Sequence, residues 1–202
     1  MELYQEFWMT LWPRLHPCGS GQDIAQDLLK RYAQPQRVYH NLQHLYECIT
    51  LFAPYVVHQQ AEYLFFALCY HDAVYQPNAD DNEQASAKLA RFQLQKQSIS
   101  APRIEKIAQL ILATQHHVKA PTNEIQALLQ DIDLAILGAD EKRFQEYQQQ
   151  IRQEYAQIPD HIFYPKRRQI LQTFLDRPVI YHHVDFYQRF ENKARHNLLT
   201  AY

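Results

Sequence analysis

Apolar side chains recur along this chain every three or four residues, which is the spacing of one face of an α-helix. Proline, glycine and short polar runs interrupt the pattern. They divide it into helical segments near residues 3–15, 23–33, 37–52, 61–75, 82–97, 101–117, 122–138, 140–157, 162–175 and 186–199. No segment shows a useful length of strand-like alternation. The pattern therefore predicts an all-α protein, a single helical bundle that spans residues 1–202.

The segment Ala61 to Tyr75, AEYLFFALCYHDAVY, is apolar on nearly every side until it reaches His71 and Asp72. A helix that is hydrophobic all round is normally buried. Burial of a carboxylate beside an imidazole is costly unless both have partners. A divalent metal ion is one such partner, so the sequence predicts a buried His-Asp pair that holds a metal and activates water.

Other residues of the chain carry the side chains that such a metal needs. His40 and His44 are four positions apart and share one face if both lie on a helix. Asp131 and Asp133 are two apart and point in nearly opposite directions on a helix, so only one of them is expected to bind the metal directly. His116 and His117 end another helical segment. Histidine and carboxylate ligands with open positions suit a catalytic metal better than a structural one.

Composition excludes several other classes of protein. The formal charge of −2 argues against an extended nucleic-acid surface, and no apolar run reaches the length needed to span a membrane. Three cysteines without a CxxC pair indicate reduced thiols, and three glycines leave no Gly-rich phosphate loop. The first residues lack the features of a signal peptide. We therefore expect a cytoplasmic protein that does not bind a membrane or an extended nucleic acid.

Six segments together give the chain a family resemblance. They are RVYHNLQHL, YHDAVYQPNADDNEQASA, ILATQHH, DIDLAILG, YQQQIRQEY and FENKARHNL. This combination resembles the HD superfamily of metal-dependent phosphohydrolases, whose signature is H…HD…D on a helical bundle. It is similar in particular to a branch of predicted bacterial HD-type phosphohydrolases. The resemblance implies an HD-type bundle that hydrolyses a phosphoester of a small molecule or a nucleotide.

The resemblance also implies roles for individual residues. The segment from His40 to His44 is similar to the HNxxH signature of cyclic-nucleotide phosphodiesterases, in which the second histidine binds metal and the first donates a proton. Carried over, His44, His71 and Asp72 are metal ligands, and His40 is the general acid or a donor to a phosphate oxygen. Asp72 acts with His40 in catalysis and would bridge two ions if two were bound.

The remaining ligands are also implied by resemblance. The closing aspartate of the superfamily is assigned to Asp133, by analogy with stringent-response nucleotide hydrolases, and Asp131 is the alternative. His117, with His116 as the alternative, is similar to the histidines that hold a second metal or contact substrate in some members. The chain lacks the fuller histidine set of the two-metal branches, so one ion is expected. Mn, Fe, Co, Ni, Zn and Mg all remain open.

A phosphoryl group needs positive charge around its oxygens. Arg37 lies three residues before His40 and is the first candidate for this catalytic and phosphate-binding role. Lys166 and Arg168 are further candidates, although the run of basic residues to which they belong equally predicts a helix face exposed to solvent. Residues expected behind the site are Asn41, which orients a ligand or caps a helix, and Asn82, Glu83 and Tyr155, which recur in the resemblance.

Three other hypotheses remain open from the sequence. The first is a di-iron oxygenase on the same fold, which needs a second metal. The second is a non-catalytic module that binds a ligand or metal, and the third is a protein without metal, whose histidines and aspartates pair with one another or with arginines. The aromatic N-terminal helix packs either on the core or on a second subunit, so a homodimer also remains open.

Overall fold

The computed structural model describes residues 2–115 and 120–201. The described residues form ten α-helices with short 3₁₀ turns and no strand, which confirms the predicted all-α class. The chain divides into two compact units, Met1–Lys119 and Ala120–Tyr202. The single domain expected from the sequence stays a prediction.

Six helices build the first unit. They are α1 (Glu2–Leu11), α2 (Gln22–Tyr32), α3 (Leu42–Phe52), α4 (Ala61–Tyr70), α5 (Asn82–Lys96) and α6 (Ala101–Ala113). Helix α4 packs against α1, α3, α5 and α6. Nine of its ten residues are buried, as the apolar sequence on all its sides predicts. The end of α4, where His71 and Asp72 follow, is therefore held from several directions.

The aromatic residues of α1 and of the 3₁₀ turn after it belong to the core of the first unit. Trp8 stacks on Trp12 with ring centroids 5.2 Å apart, and both rings make edge contacts with Phe66 of α4. Trp8 is fully buried. These rings therefore pack on the core, and the homodimer that the sequence left open has no support from them.

Helix α3 is shorter than the periodicity predicts. It begins at Leu42, because Asn41 is its N-cap and accepts a hydrogen bond from the backbone N–H of Gln43 at 2.7 Å. Arg37 and His40 therefore lie in the turns before the helix. The prediction that His40 and His44 share one helical face is wrong for His40, which reaches its position through the turn.

Four helices build the second unit. They are α7 (Glu124–Leu134), α8 (Glu141–Glu154), α9 (Asp160–Leu175) and α10 (Val184–Thr200). A 3₁₀ turn, Ala135–Gly138, continues α7 and packs against α10. A Cβ atom on Gly138 would lie 2.7 Å from the backbone oxygen of Phe190, so this close approach requires glycine. None of the helices in the described part of the chain combines the length and the apolarity that membrane crossing needs.

Candidate metal centre

His71 is the residue at which α4 ends. It is the C-cap, and its ring is 1% exposed. Its Nδ1 lies 2.8 Å from the carbonyl oxygen of Leu68. A carbonyl can only accept, so Nδ1 carries the hydrogen and donates it. In the neutral imidazole, Nε2 is then left with a lone pair, which is the state in which histidine binds a metal.

Three side chains of the first unit converge on one point. Nε2 of His44 lies 3.1 Å from Nε2 of His71. The Oδ2 atom of Asp72 lies 3.0 Å from Nε2 of His71 and 3.5 Å from Nε2 of His44. Both histidines are buried, and the Asp72 side chain is 15% exposed. One side of this cluster is therefore closed by the protein, and Asp72 retains access to solvent.

The spacing of these three atoms fits one bound metal ion. Ligand atoms about 2.0–2.2 Å from an ion, at angles of about 90–115°, are about 2.8–3.7 Å from one another. The three observed separations, 3.0, 3.1 and 3.5 Å, all lie within this range. Two imidazole nitrogens and one carboxylate oxygen are also a donor set that first-row divalent metals accept.

The electrostatics of the cluster keep Asp72 ionised. Burial raises the pKa of Asp72, but its contacts with neighbouring imidazoles, first His71 and then His40 and His44, lower it by more. The pKa of Asp72 is therefore held well below its usual range. A carboxylate in this state is ready to accept a cation.

Arg37 contacts the backbone of the site. Its Nη1 donates to the carbonyl oxygens of His40 and Asp72, and its Nη2 donates to the carbonyl oxygen of Ala73. The residue is 5% exposed, and its guanidinium lies 5.4 Å from the ring centroid of Tyr32. These contacts favour a structural role, in which Arg37 links the turn at His40 to the backbone at Asp72 and Ala73. The catalytic and phosphate-binding roles assigned to Arg37 stay predictions.

Tyr32 holds Asp72 from the other side. Its hydroxyl oxygen accepts a hydrogen bond from the backbone N–H of Asp72 at 3.3 Å. The backbone N–H and carbonyl of Asp72 are thus fixed by Tyr32 and Arg37 respectively. Sequence reasoning missed Tyr32, since it is one more apolar position at the end of α2, and nothing local marks its distant partner.

His40 lies beside the cluster, partly exposed in the turn before α3. Its ring centroid is 5.9 Å from that of His44. The His40 ring also stacks on Tyr75, with centroids 4.0 Å apart and 24° between the ring planes. The turn therefore brings His40 next to the proposed ligands, as its predicted role as proton donor requires, although that role itself stays a prediction.

The residues expected behind the site in the first unit have identifiable contacts. Asn41 uses both ends of its amide in the turn, because it caps α3 and donates to the carbonyl of Val38. Asn82 donates to the carbonyl of Gln76 and accepts from its N–H, both at 2.9 Å. Glu83 lies partly exposed in the first turn of α5. Asn41 is therefore the helix cap, and Asn82 fixes the loop that follows the His-Asp pair.

The Asp131 carboxylate forms hydrogen bonds with the backbone of the second unit. It is fully buried, and its carboxylate accepts hydrogen bonds from the backbone N–H groups of His182 and His183. Asp133, two residues further along α7, is partly exposed. The two aspartates therefore differ in their surroundings: the Asp131 carboxylate is buried against backbone N–H groups, whereas the resemblance assigns the ligand role to the more exposed Asp133. Its role as a ligand stays a prediction.

The other predicted residues of the second unit lie on α8 and α9. Tyr155 is the C-cap of α8, and its ring lies 6.1 Å from that of Phe163. Lys166 and Arg168 are exposed on α9, as a solvated helix face predicts. Their roles in binding phosphate stay predictions. His116 and His117, predicted for a second metal or for substrate, lie outside the described residues.

Cys48 is a neighbour of the cluster that the sequence did not point to. Its Sγ and ligand atoms of His44 and His71 all lie within 4.8 Å of one another. The thiol lies 3.8 Å from Nε2 and 3.9 Å from Nδ1 of His44, so it faces the ring between its two nitrogens. We assign Cys48 a packing contact with His44. Its spacing of four residues from His44 is the signal that could have found it.

The chain matches no family model, no curated protein and no solved structure. The HD resemblance therefore depends on six sequence motifs alone, and the geometry of the site is the independent evidence about function.

Proposed function

We propose that this protein is a metal-dependent phosphohydrolase that cleaves a phosphoester of a small molecule or a nucleotide. The observation that carries the proposal is the convergence of His44 Nε2, His71 Nε2 and Asp72 Oδ2 on one point. Two imidazoles and one carboxylate, with coordination positions left for water and substrate, are typical of a catalytic metal site.

The proposed roles follow from the contacts of each side chain. His71 presents Nε2 because Leu68 holds its other nitrogen, and Asp72 supplies a negative oxygen on a backbone fixed at both ends. A divalent ion held there would supply a water molecule of lowered pKa and would offset negative charge on a phosphoryl oxygen.

His40 is the proposed proton donor to the leaving-group oxygen. It lies next to the ligands without being one of the three converging side chains, and it is partly exposed. A general acid has to come within hydrogen-bond reach of the atom that it protonates. Loss of the His40 imidazole should therefore lower kcat and leave metal affinity nearly unchanged.

The test is hydrolysis of a panel of phosphoesters and nucleotides. Metal-stripped protein would be resupplied with Mn, Fe, Co, Ni, Zn or Mg, and phosphate release would be measured for the unaltered protein and for Asp72→Asn. The matched control is Asp80→Asn, which removes an exposed carboxylate from the loop after the site. The proposal expects metal-dependent release that is lost in Asp72→Asn and kept in Asp80→Asn.

Two results would contradict the proposal. Release that is equal in both variants would come from chemistry elsewhere. No release with any metal, while the protein binds an ion that Asp72→Asn does not, would leave the site as a metal centre with another role. Oxygen consumption by the iron-loaded protein would then indicate the oxygenase, and no consumption would indicate the binding module.

A further inference from the structure

Two side chains of α5 form hydrogen bonds with the backbone of the loop between α4 and α5. The Ser86 hydroxyl accepts a hydrogen bond from the N–H of Val74 at 3.0 Å, and it also lies 3.2 Å from the carbonyl oxygen of Val74. The Asn82 amide makes the equivalent pair of bonds to the N–H and carbonyl of Gln76. The residue between these two fixed positions is Tyr75.

Tyr75 uses this support to contact His40. The two rings are stacked, with centroids 4.0 Å apart and planes 24° from parallel. The Arg37 guanidinium lies 5.8 Å from the centroid of the same tyrosine ring. Tyr39 touches His40 from another direction, edge to face, at 4.8 Å. The imidazole is therefore held between aromatic rings, although it lies in a turn and is partly exposed.

We propose that Tyr75 is a positioning residue that fixes the orientation of the His40 ring. Its flat face restricts rotation of the imidazole about the bond to Cβ, and the α5 side chains keep that face in place. A catalytic group on a turn gains from such support, because small misplacements reduce the rate by large factors. The inference rests on the proposed function only for the use that the protein makes of His40.

The first test measures the ring of His40 without substrate. The full chain would be labelled with ¹³C in its histidine rings, and ring order would be obtained from NMR relaxation for the unaltered protein, Tyr75→Phe and Tyr75→Leu. The signal of His40 would be assigned with His40→Gln. Tyr46→Leu, which removes a 45%-exposed ring from α3, is the control. We expect greater His40 motion only in Tyr75→Leu, because phenylalanine keeps the stacking face.

The second test uses the activity panel. With His40 as proton donor, Tyr75→Leu should lower kcat about tenfold or more with KM changed less than twofold, and Tyr75→Phe should restore kcat. Asn82→Ala keeps the Tyr75 side chain but releases Gln76 beside it, so the loop is held less firmly. In the relaxation experiment this variant should also increase His40 motion, by less than Tyr75→Leu does.

Two outcomes would overturn the inference. Unchanged His40 order in a folded Tyr75→Leu protein would do so whatever the activity. A raised KM with unchanged kcat would do so as well, since it would mean that Tyr75 contacts substrate. The relaxation experiment needs no turnover, so failure of this inference and failure of the phosphohydrolase proposal are distinguishable.

Discussion

Nε2 of His44 lies 3.1 Å from Nε2 of His71, although His44 belongs to α3, His71 follows α4, and the two are 27 positions apart. Because Nδ1 of His71 donates to Leu68, Nε2 of neutral His71 presents a lone pair towards His44. A shared metal ion, or a hydrogen bond from the other imidazole, is then needed between them. This relationship is the centre of the proposed site.

Loss of either imidazole should reduce metal binding strongly. His71→Asn or His44→Gln should weaken the affinity for Mn or Zn by at least about 100-fold. Even mutation of a residue that only supports a ligand often reduces metal affinity by about 10- to 100-fold. Isothermal titration calorimetry on metal-stripped protein measures this. The control is His161→Gln, an exposed histidine of α9. Equal affinities in all variants would place the ion elsewhere.

Arg37→Lys should weaken metal binding in the absence of substrate. Lysine offers one nitrogen in place of the two guanidinium nitrogens that reach the carbonyls of His40, Asp72 and Ala73, so the carbonyl side of Asp72 is held less firmly. We expect a decrease in affinity of about tenfold. Arg91→Lys is the matched control, because Arg91 forms a bidentate ion pair with Glu105 on the surface. An unchanged metal affinity with a raised KM would instead support the phosphate-binding role.

Substitution of Asp131 should reduce stability, whereas substitution of Asp133 should reduce metal affinity. Asp131→Asn places an amide beside two backbone N–H groups that now donate to a carboxylate, and it should reduce the free energy of unfolding by about 1–3 kcal/mol. Asp133→Asn, at a partly exposed position, should have a smaller effect on stability. If the resemblance assigns the ligand correctly, only Asp133→Asn lowers metal affinity in a folded protein. Urea unfolding and calorimetry measure the two effects.

Gly138→Ala should destabilise the protein by about 1–3 kcal/mol, because the new Cβ would meet the backbone of Phe190. Gly19→Ala is the control. A Cβ on Gly19 would come 2.9 Å from Oε1 of Gln97, and the end of that flexible side chain can move away. Thermal or urea unfolding of the two variants provides the comparison. Equal losses would show that close packing at Gly138 is not the cause.

Asp27 should make a small, pH-dependent contribution to stability. Burial raises its pKa, but hydrogen bonds from Arg31 and Gln93, and then the charge of Arg31, lower it by more, so the pKa lies below the ordinary 3.8. The contribution is therefore present above pH 3.8 and is lost as the pH falls through the lowered value. After allowance for solvent screening, it is at most about 1 kcal/mol.

The comparison of Asp27→Asn with the unaltered protein isolates this effect. The variant should be less stable at pH 7, and the difference should shrink as the pH falls below about 4. Urea unfolding at several pH values measures it, with Asp80→Asn as the control for loss of one exposed charge. A difference in the free energy of unfolding that grows as the pH falls would contradict the prediction.

The helices and the position of the His-Asp pair were determined by the sequence itself. Helical periodicity is local, so all ten helices fall within the predicted segments to within a few residues at most of their ends. The burial of α4 follows equally from its own composition. The start of α3 differs from the prediction because the cap formed by Asn41 begins the helix later than apolar spacing alone would place it.

The partners of the polar residues were decided only by tertiary structure. Arg37 binds the carbonyl of Asp72 across 35 positions, and Asp131 binds the N–H of His182 across 51. The His40 ring stacks on Tyr75 in a loop that belongs to another part of the sequence. Local periodicity indicates which side chains are buried, but it holds no information on which distant backbone group or ring each of them meets. Those contacts depend on how the helices pack, because packing alone brings distant segments within hydrogen-bond distance.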